Sequence, residues 1–461
     1  MKITQALRVP LLARLAAVGA GGKTSLLFQV GRELLAGKSE RAMSVLITTT
    51  THLASWQATL ADQHIIIENV EQIAAWSGEI PPGVVVITGP EGKDQRLGGL
   101  VEAMLVQLLS VAEEQKLPLL IEADGARLRP LKAAGVHEPA IPEFASQVVV
   151  CAGMTGVGKP LTSEWVHRAE RFAELSGLKL GQVVTPISIQ RVLAHPEGGM
   201  KNIPANARRT LLLTQADTPE LQAKAASIAE PLMSYYDSIV TSQGTPISKG
   251  SESIYRLEAL NVCEMVAGIV LAAGGSSRFG QAKQLLNWGG KPFVRQVAET
   301  ALQAGLSPVI VVVGAYAEEV SSVVEGLPVQ VVVNSAWEQG HSTSITCGMK
   351  ALPKKTGAAV FLLSDQPQIP VQLVRSLVEM HQQTLAKIIA PLVDGQRGNP
   401  VLFDRDTFGD FASLSREQGG RALFSHFPVQ WLPWHDPSLL LDVDTLEDYE
   451  RLVELYRQGE T

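Results

Sequence analysis

Residues 269–292, IVLAAGGSSRFGQAKQLLNWGGKP, constrain the fold of this chain more than any other stretch. An aliphatic run of Ile269, Val270 and Leu271 stops at Ala272, Ala273 and Gly274. A Gly/Ser loop follows, beginning with Gly275, and then come Arg278, Gly280, Lys283 and Lys291. A strand that breaks into a glycine-rich loop exposes backbone N–H groups, and these, with nearby cations, can hold a triphosphate. A second loop of this kind lies near the start. Gly19-Ala20-Gly21-Gly22-Lys23-Thr24-Ser25 follows the apolar residues 15–18 and opens a helical pattern, the context a phosphate-binding loop requires. It fits GxxGK[ST] rather than GxxxxGK[ST], because Ala17 stands where the longer form has glycine.

At 461 residues the chain is too long for one ordinary core, so two or three domains are expected. Strand-like and helix-like segments alternate twice over. In the first half strands are expected near 15–18, 44–48, 84–88, 119–122, 147–153 and 210–214, with helices over 25–35, 97–114 and 163–176. In the second half strands are expected near 266–271, 308–313, 329–334, 358–363, 387–391 and 400–403. The pattern predicts an α/β fold in two domains, each a parallel sheet covered on both faces. The first is a P-loop-type sheet over 1–243, the second a Rossmann-like sheet over 264–461. The polar, Gly- and Pro-containing stretch 244–263 reads as the linker.

A net charge of −7 argues against a nucleic-acid partner. Cys151, Cys263 and Cys347 stand far apart, in no metal-ligand spacing, which suits a reducing cytoplasm. No run approaches the ~20 apolar residues of a membrane helix. The apolar N-terminal segment flows directly into the Gly-Lys-Thr loop, so a secretory signal is not expected.

In the second half Arg278 and Lys283 are the expected phosphate ligands and catalytic cations. A metal needs hard carboxylate oxygens, and the run 361–363 ends at Ser364-Asp365, where an open α/β sheet places ligands. Asp365 is therefore the first expected metal ligand and a catalytic residue. Asp442 is the second, while Asp444, just before Thr445-Leu446-Glu447, suits a helix cap.

The full pattern LAAGxxxRxGxxKxLLxxxGKP resembles the signature of the MobA-like nucleotidyltransferases, which include the molybdopterin guanylyl- and cytidylyltransferases. Asn334, Trp337, Gly340, Ser344 and Ile345 resemble that family's N-x-x-W-x-x-G-x-x-x-S-(I/L) segment, and Gly398-Asn399-Pro400 its acceptor-pocket segment. Residues 416–421 resemble its GDxGAR-type loop, with Arg416, Glu417 and Gly420 replacing the usual Gly, Asp and Ala. The resemblance implies a nucleotide site at Leu271, Ala272, Ala273, Gly274, Gly275, Lys283, Asn334 and Ser344. It implies Mg²⁺ as cofactor and a molybdopterin-type cofactor as acceptor. Ala272-Ala273-Gly274 and the triplet Asp365-Gln366-Pro367 resemble the cytidylyltransferase side of the family, which implies CTP as substrate and transfer of CMP with release of pyrophosphate. Another small-molecule nucleotidyltransferase, or a carrier that delivers a finished cofactor with little turnover, stays open. In either mechanism His341 is a polar loop residue rather than a base, because a phosphate acceptor has no proton that must be removed.

In the first half Gly19, Gly21, Gly22, Lys23, Thr24 and Ser25 are the expected nucleotide-binding residues, with Thr24 and Asp124 at a metal. The strand ending in Thr48-Thr49-Thr50-Thr51-His52 offers hydroxyls for a phosphate or a metal-bound water. Thr214-Gln215-Ala216-Asp217 stands where GTPases carry NKxD, but lacks Asn and Lys, so ATP and GTP both remain open. GAGGKTS, the Thr run and residues 122–142 (EADGARLRPLKAAGVHEPAIP) together resemble the YqeC family. That implies an accessory role for selenium-dependent molybdenum hydroxylases and an apo-hydroxylase as partner. Lys132, His137, Glu138 and Pro139 are candidates for an acceptor site there.

Overall fold

The computed structural model describes residues 1–37, 44–74, 76, 80–92, 96–247, 254–275, 279–413 and 419–459. It divides into two units, Met1–Cys263 and Glu264–Thr461.

The strands of the first unit are β1 (Arg14–Gly19), β2 (Ser44–Thr49), β3 (Gln63–Ile66), β4 (Gly83–Thr88), β5 (Leu119–Glu122), β6 (Gln147–Gly153), β7 (Arg208–Thr214), β8 (Ser238–Pro246) and β9 (Tyr255–Glu264). They form one sheet in the order β9-β8-β7-β6-β1-β5-β2-β4-β3. Every pairing from β8 to β3 is parallel. Parallel neighbours need crossover connections, and the intervening helices cover both faces. The central strands are accordingly unbroken apolar runs: Val84 to Ile87, Leu119 to Ile121 and Val148 to Val150 are all buried.

Three expectations fail here. The helix expected over 97–114 begins only at Glu102, because Arg96–Gly98 pairs antiparallel with His52–Ala54. Gly99 lies against backbone, and a Cβ there would sit 2.4 Å from the Thr51 carbonyl oxygen. The helix expected over 163–176 begins at Ala169, since Val166–His167 pairs with Leu131–Lys132. The linker expected over 244–263 instead holds the end of β8 and most of β9, which buries Leu257, Ala259 and Val262 at the sheet edge.

The second unit has strands β10 (Val266–Ala272), β11 (Val309–Val313), β12 (Val329–Val333), β13 (Ala358–Leu363), β14 (Ile388–Val393), β15 (Gln396–Arg397), β16 (Val401–Asp404) and β17 (Val429–Pro433). Their order is β12-β11-β10-β13-β16-β14-β15, with β17 beside β14. Strands β10 to β13 are parallel to their neighbours, but β16 runs antiparallel to both β13 and β14. The sheet is therefore mixed rather than wholly parallel. The chain from β14 through β15 to β16 is too short for a crossover and must turn back. Side chains alternate across β10: Val270 and Ala272 join one core, Ile269 and Leu271 the other. Among the described residues no helix is long and apolar enough to cross a membrane.

Candidate functional site

In the second unit the polypeptide leaves the sheet at the end of β10 through Ala273, Gly274 and Gly275. Arg278 lies outside the described residues. Gln284, whose side chain is buried, donates Nε2 hydrogen bonds to the carbonyls of Ala272 (3.2 Å) and Gly274 (2.6 Å), pinning the loop from behind. Trp337 closes it on another side: a Cβ on Gly275 would lie 2.8 Å from the indole ring, and one on Gly314 would lie 2.7 Å from the Ala273 carbonyl oxygen. Leu271 and Ala272 are buried in the strand, so they can offer a ligand backbone only.

Lys283 opens a short 3₁₀ turn, and its ammonium sits 2.6 Å from the Asp444 carboxylate. Asp365 follows the end of β13. Burial, reinforced by the negative charge of Asp442, pushes its carboxyl up to about 6. Asp442 is also raised, by burial and by Asp444, although the Gln366 amide donates to its Oδ1 and opposes the shift. Gln368 donates to the carbonyls of Ser438 (3.1 Å) and Leu441 (2.8 Å), so the Asp365 segment and the Asp442 segment are sewn together by two glutamines. Both carboxyls stay raised although Lys283 pulls each of them down, so burial and the neighbouring acidic charge outweigh the cation already present. Among the described residues no group of three His, Cys, Asp or Glu side chains forms a complete metal cage. The pair suits Mg²⁺, which binds one or two carboxylates and takes further ligands from substrate phosphates and water.

Asp444 is not the helix cap. The Asp448 carboxylate accepts from the backbone N–H of Thr445 (2.8 Å), and the Thr445 hydroxyl accepts from that of Asp448 (3.2 Å). This reciprocal pair opens the helix Leu446–Gly459 and leaves Asp444 to meet Lys283. Asn334 and Ser344 are bound to each other: Asn334 Nδ2 donates to the Ser344 hydroxyl (3.0 Å) and to Thr343 Oγ1 (2.9 Å), and its Oδ1 accepts from Ala336 N (3.0 Å). Burial and the Arg421 guanidinium lower the His341 pKa, favouring neutral imidazole at pH 7.

In the first unit β1 runs into the Gly19–Thr24 loop and helix α1 (Lys23–Ala36). The loop needs its glycines. Gly19 has φ +91° and a Cβ there would meet the Cys151 carbonyl oxygen at 2.2 Å; Gly21 has φ +87° and one there would meet Gly153 N at 2.6 Å. Gly22 caps α1, so the N–H groups of Lys23 and Thr24 fall in the first turn, where no intrahelical partner exists. The Ser25 hydroxyl accepts from Tyr255 N (3.2 Å).

Lys23 bends back into its own loop. Its Nζ donates to the Gly19 carbonyl (2.7 Å) and lies 3.0 Å from Asp124 and 3.7 Å from Glu122. Burial works against this ammonium, but the two carboxylates hold its pKa above the ordinary lysine value. Thr24 donates to Glu122 (3.0 Å) and accepts from the Gln57 amide (2.8 Å). Asp124, besides meeting Lys23, accepts from Gly19 N (2.9 Å) and pairs with Lys132 (2.8 Å). The carboxylate at Thr24 is therefore Glu122, not the expected Asp124. Burial raises the Glu122 pKa against the pull of Lys23. The threonine run is also spent differently: Thr48 donates to the Ile87 carbonyl (2.8 Å) and Thr49 to the Glu122 carbonyl (2.9 Å), so neither hydroxyl is offered to a phosphate.

Behind the loop the ionic chain continues. Lys132 also meets Glu138 (2.8 Å), and Arg168 grips both Glu138 oxygens (2.6 and 2.8 Å). Burial opposes ionisation, yet Arg168 and Lys132 hold Glu138 down to about 2. Each pKa unit is about 1.4 kcal/mol, so this carboxylate contributes about 2–3 kcal/mol after allowance for its partial exposure. A depressed acid stabilises above its unfolded pKa and loses that contribution as pH falls through the folded one. The wild type should thus lose about 2–3 kcal/mol more than Glu138→Gln between about pH 5 and pH 2 in denaturant titrations; equal losses would show that Glu138 contributes nothing.

A glycine-boxed loop at the end of a central strand, a lysine beside it and two carboxylates on the facing segments make the second unit a nucleotidyltransferase. Residues 268–431 match the model of the MobA-like NTP transferase domain, and residues 15–170 match that of the YqeC protein. The uncharacterized protein YqeC of Escherichia coli is 31% identical over 47% of this chain and 82% of its own length. Nicotine blue oxidoreductase of Paenarthrobacter nicotinovorans is 33% identical over 41% of this chain and 96% of its own. A probable molybdenum cofactor guanylyltransferase of Bacillus cytotoxicus is 26% identical over 41% and 96%. The chain belongs to the YqeC family over its first half and to the MobA-like NTP transferase family over its second.

Of the three glutamines that fasten the second site, Gln284 and Gln368 were not anticipated and Gln366 was read only as part of the Asp365-Gln366-Pro367 triplet; the contact of Glu122 with Thr24 was not anticipated either. Only Glu122 had a signal, as the other carboxylate at the end of β5.

Proposed function

We propose that the second unit transfers CMP from CTP to the terminal phosphate of a molybdopterin-type cofactor, releasing pyrophosphate. The observation that carries this reading is the convergence of Lys283, Asp365 and Asp442 beside the loop at 272–275. The relative named as a probable molybdenum cofactor guanylyltransferase supports the acceptor class, and Asp365-Gln366-Pro367 supports CTP. Asp365 and Asp442 would hold the Mg²⁺, which supplies neutralising charge to the phosphates. Loop amides and Gly274–Gly275 backbone cradle the triphosphate, and Lys283, with Arg278, offsets the charge that develops on the leaving pyrophosphate. The acceptor phosphate attacks the α-phosphorus in line as the bond to the β-phosphate oxygen breaks. No side chain need take a proton, which suits a neutral His341. Asn334 and Ser344 act by shaping the loop beneath the nucleotide.

The first unit binds ATP or GTP through Gly19, Gly21, Gly22, Lys23 and Thr24, with a metal at Thr24 and Glu122 rather than Asp124. It serves maturation of a molybdenum hydroxylase in the cytoplasm, with the apo-hydroxylase as partner.

Incubating the full chain with molybdenum–molybdopterin, Mg²⁺ and each NTP in turn tests the reading. Pyrophosphate should appear with CTP at least tenfold faster than with ATP, GTP or UTP. Faster release with GTP would replace the cytidylyl reading with a guanylyl one. No release with any NTP would favour a carrier or the redox chemistry for which one relative is named.

A further inference from the structure

The phosphate loop of the first unit opens onto a cleft of about 560 Å³, within the range of small-molecule sites. Its lining is strongly biased in charge for a chain of net −7. Lys23, Arg96, Arg127 and Arg129 line it, and Glu122 is the one carboxylate among the described lining residues. The loop's own cation is already balanced, because Lys23 lies within 4 Å of both Asp124 and Glu122. Arg127 and Arg129 are different: neither guanidinium has a hydrogen-bond or ion-pair partner among the described residues.

These two arginines are held out by design of the backbone. Arg127 and Leu128 adopt φ +49° and +61°, conformations that cost energy in non-glycine residues and persist where function uses them. The turn starts three residues after Asp124, which is fixed by Gly19 N, Lys23 and Lys132. It thus carries Arg127 and Arg129 on a base tied to the phosphate loop itself. Guanidinium groups recognise phosphate through paired N–H donors, and two in one cleft suit a doubly charged phosphate.

We infer that this cleft is a two-ligand site: the loop takes a nucleotide, and Arg127 and Arg129 take a second small molecule bearing a phosphate group. The inference rests on the reading of the loop as a nucleotide site. The first unit then brings two phosphates together rather than acting as a bare NTPase.

The test uses the full chain carrying Lys283→Ala, so that the second unit's site contributes less binding. Calorimetry first measures Mg-ADP, then inorganic phosphate added to the ADP-saturated protein. Lys23→Ala should weaken ADP at least tenfold. Arg127→Ala/Arg129→Ala should leave ADP within twofold and weaken phosphate at least tenfold. Unchanged phosphate binding in the double variant overturns the inference. So does equal loss of ADP and phosphate, which would assign the arginines to the nucleotide. Absence of ADP binding without substitution at Lys23 would instead remove the loop reading, and phosphate binding that still depends on the two arginines would survive it.

Discussion

Lys283→Ala should slow pyrophosphate release by about a hundred- to a thousandfold, the usual loss when one preorganised electrostatic group is removed from a transition state. Lys283 is well placed to show this cleanly. Its side chain is 12% exposed, but its ion-pair partner Asp444 is 59% exposed. A pair open to water on one side contributes at most about 1 kcal/mol to the fold, so the melting temperature should barely move. The expected signature is a fall in kcat with near-normal unfolding, measured by stopped assay and calorimetry on the same preparation. A near-normal rate would remove Lys283 from the machinery and with it the argument that this loop holds a triphosphate.

Lys132→Met should produce the largest loss of stability. The Lys132 side chain is 4% exposed and its ammonium meets Asp124, Glu138 and the Gly125 carbonyl, each within 2.8 Å. Removing a buried cation strands its carboxylates and costs about 3–5 kcal/mol. At about 2–4 °C per kcal/mol for a unit of this size, the first transition should fall by about 6–20 °C. Nucleotide binding should weaken as well, because Asp124, freed of Lys132, pulls harder on Lys23. A change of under 2 °C in calorimetry would show that the ionic chain from Lys23 to Arg168 does not hold the unit together.

What could be read beforehand follows from how each feature is encoded. Both loops are written in adjacent residues: glycines, needed for positive φ at 19, 21 and 22 and for close packing against Trp337 at 275, then a lysine, with an aliphatic strand before them. The place of Asp365 just past the end of β13 was legible for the same reason, as the first charge after a buried run. Strand β9 was not, because an edge strand with Arg256, Glu258 and Asn261 lacks the apolar run of a central one. Glu122 and Asp124 stand two apart at a strand end, and only the path of the chain decides which meets Thr24. The threonine run looked available, but the hydroxyls of Thr48 and Thr49 satisfy carbonyls on neighbouring strands. Gln284 belongs to no spacing rule, and the triplet that holds Gln366 says nothing of its contact with Asp442. Their roles arise from long-range packing that brings residues 272 and 442 within reach.

The central claim is that this chain joins a cytidylyl group to a molybdopterin-type phosphate. Mass spectrometry of the product formed from the full chain, molybdenum–molybdopterin, Mg²⁺ and CTP tests it most directly. The account predicts a pterin dinucleotide carrying CMP through a new pyrophosphate linkage, formed one for one with released pyrophosphate and lost in Asp365→Ala. Unmodified pterin recovered beside intact CTP would contradict it.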